Sequence, residues 1–328
     1  MALTSAVNTM EKARQNSVPP RDVIVIGGGL AGLSAAIYLG RSRRDTLLIH
    51  TNRSMAKWED DVQNYLGFPE GIDGAELLAL GMQQVLRFGA MVTTDDISSL
   101  VQNDDSFHLQ GSGTIYCARR VLLATGLTHL PPEIPGVRDC LGRSLFFCKD
   151  CDAYRVQGRH LVIIGWNNEA ADYALAMLLF SSKIMICTNG RTPQWDPVRT
   201  GWLDEYKVPV HHDRIHALVH DDGQLRALTF EQGESLNVDG AFTARGDVYH
   251  HDLAAGAGAK LDEEGQVIVD HCMRTTVPGL YAAGCVTPAN CQMIIAAGQG
   301  AVAGQAINRD LFEDSLERHA LPRYGRTA

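Results

Sequence analysis

The feature that most constrains this chain is a pattern that occurs twice: a short apolar run, a turn that contains glycine, and a helix of small residues. The first turn occupies residues 27–32, and the second begins at Gly165. Each helix is followed by another apolar run, at residues 46–50 and 183–187. A strand, a tight turn, a helix and a second strand form the βαβ unit that binds dinucleotides. The sequence therefore predicts an α/β protein with two Rossmann-like nucleotide-binding domains.

The glycines of the first turn have separate physical roles. Gly27 makes the tight turn, Gly29 lets the backbone approach a pyrophosphate, and Gly32 lets the helix pack on the strand. Free N–H groups and the positive end of the helix dipole then hold the phosphates. We therefore predict that these glycines, with Leu30 and Ala31 between them, bind the cofactor.

The end of the second strand lacks the acidic residue that normally holds a cofactor ribose. His50 stands at this position, and Asn52 and Arg53 follow it. Two interpretations stay open for Asn52 and Arg53: they contact the ADP half of a cofactor, or they belong to a solvated turn. We include all three among the predicted cofactor contacts, although they indicate no preference for NAD.

The arrangement of the two domains follows from the segments between them. A strand that ends at residue 126 is followed by a proline-rich stretch from Pro131, which stops regular structure and favours a crossing between domains. A similar small-residue turn at residues 279–284 precedes another helix. The predicted organisation is a polar leader at residues 1–20, a first domain formed by residues 21–130 and 250–328, and a second domain, residues 131–249, inserted into the first.

Cys148 and Cys151 form a C-x-x-C motif, whose turn brings two sulfur atoms within disulfide reach and can lower a thiol pKa. Zinc would need four ligands, and no second C-x-x-C motif completes a site. We therefore predict a redox pair and no metal. Asp152 is either a proton donor and acceptor for the thiols or a capping residue of the turn. Most of the other cysteines are expected to be small core residues: Cys117, Cys140, Cys187, Cys272, Cys285 and Cys291.

Charge and hydrophobicity exclude several classes of protein. The net charge of −9 provides no basic field for a nucleic acid backbone, so we expect no nucleic acid partner. The first twenty residues lack the apolar core of a signal peptide, and no apolar run is long enough to span a bilayer. With only eight cysteines in 328 residues, the sequence predicts a cytoplasmic protein without a transmembrane segment.

The glycine turns and the cysteine pair occur together with further motifs. The matching segments are residues 27–32, 63–69, 71–74, 124–126, 148–152 and 279–284, together with Gln292. This combination resembles the low-molecular-weight thioredoxin reductase family of flavoproteins over nearly the whole chain. The resemblance implies a thioredoxin reductase-like fold, FAD on the first domain, a homodimer, and an inserted domain that rotates to present its disulfide to the flavin or to the substrate.

The resemblance also implies roles for particular residues. Cys151 is expected to meet the flavin, Cys148 to exchange with the partner, and Asp152 to act as the acid and base. The partner is expected to be a dithiol or disulfide protein or a small thiol. Further contacts to FAD are expected from Asn64, Ala124, Thr125, Gly126, Gly284, Cys285, Gln292 and Met293.

The sequence departs from the family pattern at three places. Asn167 replaces the glycine that would admit the phosphates of NADPH, only Arg191 remains of the arginines that would hold its 2′-phosphate, and Cys285 replaces an aspartate beside the flavin. We therefore do not expect NADPH to bind. The residues predicted for a second nucleotide or flavin site are Gly165, Trp166, Asn167, Asn168, Glu169, Asn189 and Arg191.

These departures favour one variant of the family. The sequence most resembles the diflavin-linked disulfide oxidoreductases, in which a second FAD replaces NADPH and Trp166 would be a candidate stacking surface. Three alternatives stay open: an NADPH-dependent thioredoxin reductase, a ferredoxin-dependent flavin thioredoxin reductase, and a flavin-binding redox sensor. The direction of electron flow cannot be derived from the residues.

Overall fold

A computed structural model describes residues 20–103, 105–244 and 246–321. Of the leader predicted for residues 1–20, all but the last residue lie outside this part. The strands are β1 (Arg21–Ile26), β2 (Thr46–His50), β3 (Met91–Thr94), β4 (Ser99–Asn103), β5 (Ser106–Gln110), β6 (Ile115–Leu123), β7 (Leu127–His129), β8 (Leu145–Phe146), β9 (Leu161–Ile164), β10 (Ile184–Cys187), β11 (Val210–His211), β12 (Ile215–Asp221), β13 (Gln224–Phe230), β14 (Ser235–Asn237), β15 (Gly240–Thr243), β16 (Asp247–Tyr249) and β17 (Leu280–Ala282).

Helices follow the first strand of each βαβ unit, as the small-residue runs predict. The helices are α1 (Leu30–Arg41), α2 (Gly74–Arg87), α3 (Val137–Cys140), α4 (Lys149–Asp152), α5 (Asn168–Met177), α6 (Pro197–Glu205), α7 (Asp252–Gly256) and α8 (Met293–Glu317), with 3-10 helices at Met55–Trp58 and Ala153–Val156. No helix in the described part of the chain is both long and apolar enough to cross a membrane.

The described chain divides into two compact units. The first contains residues 20–54, 78–126 and 249–321, and the second contains residues 55–77 and 127–248. The second unit therefore includes a segment, residues 55–77, that the sequence pattern does not distinguish from its surroundings. The boundaries predicted from sequence stay a prediction.

The first unit is built on a seven-stranded sheet with the order β3-β2-β1-β6-β5-β4, in which β17 also pairs with β6. The strands β3, β2, β1, β6 and β17 run parallel, and β5 and β4 are antiparallel. Ile24, Val121 and Leu280 are fully buried between the layers. The carboxyl ends of β1, β6 and β17 therefore lie side by side at one edge of the sheet, where a nucleotide binds in such folds.

The second unit contains a parallel five-stranded sheet with the order β11-β10-β9-β15-β8. All four residues of its central strand β9 are fully buried, as expected for a parallel strand that is covered on both faces. An antiparallel sheet of β12, β13 and β14 lies in the same unit. Both predicted βαβ units are thus present, and α5 ends at Met177, before the second apolar run.

Candidate functional site

The first glycine turn leaves space in front of the N-terminus of α1. Gly29 is the N-cap of this helix, no side chain caps it, and the first turn contains no acidic residue. A Cβ atom placed on Gly29 would meet only the Oγ atom of Ser54, at 3.7 Å, among the described residues. Open space next to backbone N–H groups at a positive helix end fits a pyrophosphate. The turn therefore fits the FAD that the sequence predicts there.

The other glycines of this turn hold it against the sheet. Gly27 has φ +118°, and a Cβ on it would lie 2.1 Å from the carbonyl oxygen of Ala124. A Cβ on Gly32 would lie 1.9 Å from the carbonyl oxygen of Gly27. Both contacts are far inside van der Waals distance, so only glycine allows this packing of strand, turn and helix.

His50 at the end of β2 and the two predicted contacts after it, Asn52 and Arg53, differ in what the structure shows of them. The Arg53 guanidinium forms an exposed ion pair with Asp96, with 2.6 Å between Nη2 and Oδ2. Asn52 has φ +63°, so it occupies the left-handed region. A Cβ on Gly28 would lie 2.8 Å from the Cβ of His50, which places His50 directly beside the turn. Contact of these three residues with a cofactor stays a prediction.

The small-residue turn after β6 is fixed by two hydrogen bonds within the first unit. The Thr125 hydroxyl donates to the carbonyl oxygen of His250 at 2.7 Å, and the His250 N–H donates to the carbonyl oxygen of Gly126 at 3.0 Å. Gly126 has φ +67°, and a Cβ there would meet no described atom within 4 Å. Gly126 thus borders open space at the carboxyl edge of the sheet, whereas Ala124 is buried.

The turn after β17 contains a feature that the sequence analysis missed. Cys285 and Cys291 form a disulfide, with 4.9 Å between their Cα atoms. The expectation that most lone cysteines are small core residues is therefore wrong for these two, whereas Cys140 and Cys187 are buried and free. Only the C-x-x-x-x-x-C spacing around a proline could have indicated the pair. The expectation that backbone groups of Cys285 serve the flavin stays a prediction.

Other predicted contacts are divided between the units. Gly284 donates its N–H to Oε1 of Gln299 at 2.7 Å, and a Cβ on it would lie 3.0 Å from the Cβ of Ala31. Gln292 is the N-cap residue of α8 and Met293 is its first residue. These residues lie in the first unit, whereas Asn64 is exposed and belongs to the second.

The C-x-x-C pair lies at the start of a short helix in the second unit. Cys148 and Cys151 form a disulfide with 5.3 Å between their Cα atoms. Cys148 is the N-cap residue of α4, and the Cys151 N–H donates to its Sγ atom at 3.1 Å. Both residues are half-buried.

Asp152 is buried immediately after this pair. Its Oδ1 atom accepts a hydrogen bond from Nη1 of Arg155 at 3.0 Å. Burial and then the negative charge of Glu59 raise the pKa of Asp152 to about 7, against the lowering effect of Arg155. A carboxyl with this pKa can both donate and accept a proton at neutral pH.

Phe147, the residue before Cys148, contacts another aromatic ring and an imidazole. The Phe147 ring stacks on His129 with 4.7 Å between centroids, and Trp58 lies 6.1 Å from it. The Nδ1 atom of His129 lies 2.5 Å from Oδ1 of Asp247. The sequence analysis did not select these residues because they come from separate segments of the chain.

The second glycine turn differs from the first at the helix N-terminus. Asn167 is the N-cap residue of α5, and its Oδ1 atom accepts a hydrogen bond from the N–H of Ala170 at 3.0 Å. Glu169 stands in the first turn; its side chain is largely exposed, but partial burial of its carboxyl and then the charge of Asp247 raise its pKa. Asn168 accepts from the N–H of Asp196 at 2.9 Å. The side chain of Asn167 thus satisfies one N–H group at the N-terminus of α5 that a phosphate would otherwise use.

The remaining residues of the second turn contact one another or residues that follow β11. The Arg191 guanidinium lies 5.3 Å from the centroid of the Trp166 ring, a cation–π contact. Oδ1 of Asn189 accepts the N–H of Ile215 at 2.9 Å. A Cβ on Gly190 would lie 3.4 Å from the Cβ of Arg214, so a second arginine lies beside this turn. Sequence reasoning missed Arg214 because it follows the next strand rather than β10.

The folds and sites together define a class of protein. A nucleotide turn with open space at a helix N-terminus, and a C-x-x-C disulfide beside a carboxyl of pKa about 7, are the parts of a flavin-dependent disulfide oxidoreductase. The family model described as pyridine nucleotide-disulphide oxidoreductase matches residues 21–303. The chain belongs to this family and, within it, to the low-molecular-weight thioredoxin reductases.

Relatives and solved structures agree with this assignment. A thioredoxin reductase of Treponema pallidum is 30% identical over 87% of this chain and 95% of its own length. The structure of HlmI has a TM-score of 0.86 at 27% identity, covering 92% of this chain and 96% of that chain. An atypical thioredoxin reductase of Desulfovibrio vulgaris Hildenborough has a TM-score of 0.51 at 32% identity, covering 90% and 99%. The predicted fold class and the disulfide oxidoreductase activity with a redox-active cysteine pair are confirmed.

Proposed function

We propose that this enzyme passes electrons between FAD in the first unit and the Cys148–Cys151 pair without using NADPH. FAD, when bound, supplies a carrier that can exchange two electrons at once, which matches one disulfide. The residues proposed to hold its phosphates are those of the first turn, in which Gly29 leaves open space at the N-terminus of α1. The proposed partner is a dithiol or disulfide protein or a small thiol.

The chemistry at the pair needs a proton as well as electrons. When a disulfide opens, one sulfur leaves as a thiolate, and a nearby acid can protonate it. We propose that Cys148 exchanges with the partner, that Cys151 meets the flavin, and that Asp152 donates and accepts this proton. The pKa of about 7 at Asp152 supports that role because both protonation states are populated at neutral pH.

The observation that carries the NADPH proposal is the N-terminus of α5. The side chain of Asn167 occupies the N-cap and accepts the Ala170 N–H, and Glu169 adds a carboxyl in the first turn. A side chain and an acidic group at this position both oppose a pyrophosphate. We therefore propose that electrons enter or leave by thiols or by a protein partner rather than through NADPH.

An NADPH-dependent thioredoxin reductase is the second candidate, and one observation favours it. Arg214 lies beside the turn at Gly190, the residue that precedes Arg191, and its Nε atom lies 3.4 Å from Oε1 of Glu231. Two guanidinium groups there could receive a 2′-phosphate. The relatives with this fold are also named thioredoxin reductases.

The two candidates differ in an anaerobic absorbance titration. Flavin per chain is first determined by acid release, and the folded protein is then titrated with NADPH and afterwards with dithiothreitol. The proposed function predicts a flavin spectrum unchanged by stoichiometric NADPH and bleached by the dithiol. Bleaching by stoichiometric NADPH would overturn the proposal and establish the second candidate.

The same experiment decides finer points of the proposal. Two flavins per chain would support a second FAD in the second unit, in the manner of a diflavin enzyme, and one would contradict it. A Cys148→Ser variant is the matched control, since it should keep its flavin but lose exchange with the dithiol at this pair. We further propose a cytoplasmic homodimer, which light scattering and cell fractionation would test.

A further inference from the structure

The Cys285–Cys291 disulfide lies in the turn between β17 and α8, within the first unit. The two cysteines are six positions apart in the chain. Neither belongs to a helix or strand, so the bond can open without breaking a regular hydrogen-bond ladder. No role in the proposed function requires this second pair.

The two cysteines of this disulfide are less buried than the free core cysteines Cys140 and Cys187. Cys285 and Cys291 are both half-buried, and Pro288 and Asn290 between them are exposed. Cys187, by contrast, is fully buried, and burial raises the pKa of its thiol to about 12. The turn that contains the disulfide thus reaches the surface of the described residues, whereas a core cysteine such as Cys187 does not.

The turn does not depend on the disulfide for its position. Gly284 at its start donates to Oε1 of Gln299 at 2.7 Å, and the Thr287 hydroxyl donates to the carbonyl oxygen of Gly284 at 2.8 Å. The N–H of Val267 also donates to the carbonyl oxygen of Val286 at 2.8 Å. A bond that closes so short a loop removes less chain entropy from the unfolded state than a bond between distant residues would. Structural stabilisation is therefore a weaker reason for this bond than it would be for a long-range disulfide.

The position of Cys291 favours opening of the bond. Cys291 directly precedes Gln292, the N-cap residue of the 25-residue helix α8, whose first turn contains no acidic residue. The positive end of a helix stabilises a nearby thiolate, which makes its sulfur a better leaving group. The segment between the two cysteines also contains no carboxylate that would oppose this charge.

We propose that Cys285 and Cys291 are a second redox-active pair, which accepts two electrons from a dithiol while the protein stays folded. A thiolate of the dithiol attacks Sγ of Cys285, the bond between the two protein sulfurs breaks, and Cys291 leaves as a thiolate. The second thiolate of the dithiol then attacks the mixed disulfide and releases Cys285. The dithiol is oxidised to a disulfide, the protein pair is reduced, and the two protons of the dithiol end on the two protein thiols.

The test uses the full-length flavoprotein without oxygen. The protein is incubated with dithiothreitol under native conditions, labelled with N-ethylmaleimide, digested, and analysed by mass spectrometry. We expect a gain of two labels per chain at Cys148 and Cys151 and two more at Cys285 and Cys291. A Cys148→Ser/Cys151→Ser variant should retain the second gain, which separates the new pair from the one in the proposed function.

Two results would overturn the proposal. Labels at Cys285 and Cys291 that appear only after unfolding in denaturant would make the bond structural, and labels that appear without dithiothreitol would show that no bond exists. The wild-type protein gives the site of each label, so the test does not depend on the folding of a variant. The NADPH titration can fail or succeed independently, because it follows the flavin spectrum rather than thiol labels.

Discussion

The two glycine turns have similar backbone conformations at the helix N-cap but different chemistry there. Gly29 has φ −80° and ψ −176° as the N-cap of α1, and Asn167 has φ −105° and ψ 178° as the N-cap of α5. The first helix begins with no capping side chain and no acidic residue. The second begins with an asparagine cap and Glu169. Both turns thus present the N-terminus of a helix, but only the first turn leaves that N-terminus without a capping side chain.

The comparison shows why a nucleotide fold can stay intact while the residues of its turn change. The central strands β1 and β9 are held by buried apolar side chains such as Val25 and Ile163, both fully buried, and this packing involves no ligand. Burial of apolar area stabilises the sheet whether or not the turn holds a phosphate. Binding depends instead on a few positions at the turn, which can change without loss of the fold.

The largest expected effect comes from closing the first turn with Gly29→Asp. The backbone at this position suits an L-residue, and a Cβ there meets only Ser54 Oγ at 3.7 Å, so the variant should fold. Its carboxylate would occupy the space proposed for the pyrophosphate and repel it. We expect flavin affinity to fall by about 100-fold or more, which corresponds to about 3 kcal/mol.

Acid-released flavin per chain and reconstitution with FAD measure this effect, and circular dichroism checks the fold. Asn167→Asp is the matched control because it places the same side chain at the equivalent position of the second turn. That variant should keep its flavin. If the Gly29→Asp protein retains one flavin per chain, the phosphates are held elsewhere. The first turn would then not be the phosphate site that distinguishes it from the second.

The reverse change opens the second turn. Asn167→Gly with Glu169→Ala removes the cap that binds the Ala170 N–H and the carboxyl beside it. Because glycine is itself a tolerated N-cap residue, loss of the asparagine cap should cost only about 0.3 kcal/mol of stability. We expect NADPH affinity to rise by about 10-fold, since N–H groups become available and a negative charge is removed.

Isothermal titration calorimetry with NADPH measures this gain. Asp204→Ala is a suitable control, because it removes one negative charge from an exposed position of α6, outside the turn. A variant with an open turn but unchanged NADPH affinity would show that Asn167 and Glu169 are not the barrier. The arrangement of Arg191 and Arg214 would then become the next place to examine.

Sequence reasoning succeeded where a local pattern determines the structure. The strand from Thr46 to His50 and both glycine turns follow from apolar runs and glycine spacing, and the Cys148–Cys151 pair follows from its motif. The approach of Arg214 to Gly190 depends on how the strand after β10 folds back, which no periodicity in the sequence reports. The pairing of Cys285 with Cys291 depends on the path of a short irregular turn, for which the C-x-x-x-x-x-C spacing was the only sequence signal.

The two disulfides allow a further comparison, because only Cys148–Cys151 is followed by a buried carboxyl. The pKa of Asp152 is raised from 3.8 to about 7, so ionisation of this group destabilises the folded state. The cost is absent below pH 4, where the group is protonated in both states, and is fully present above pH 7. Asp152→Asn should therefore gain stability over the wild type as pH rises, by roughly 2 kcal/mol between pH 5 and pH 8.

Urea unfolding of both proteins at the two pH values measures the difference. Asp150→Asn is the control, since Asp150 is exposed and pairs with Lys149 at 2.7 Å. It should show no comparable dependence on pH. An equal gain for Asp152→Asn at pH 5 and pH 8 would contradict the raised pKa and would weaken the proposed role of Asp152 as acid and base.

The smallest expected effect concerns the cation–π contact between Arg191 and Trp166 in the second turn. The guanidinium lies 5.3 Å from the ring centroid, and Arg191 is exposed, so Arg191→Ala should lower stability by about 0.5–1 kcal/mol. Trp166→Leu should cost more by itself but should make Arg191→Ala nearly neutral, because the ring that receives the cation is absent. A double-mutant cycle in urea measures this coupling. The proposal that the second turn binds no NADPH predicts that flavin reduction by NADPH does not change in Arg191→Ala. A raised KM for NADPH would instead place Arg191 on the 2′-phosphate. The second turn would then be a nucleotide site like the first.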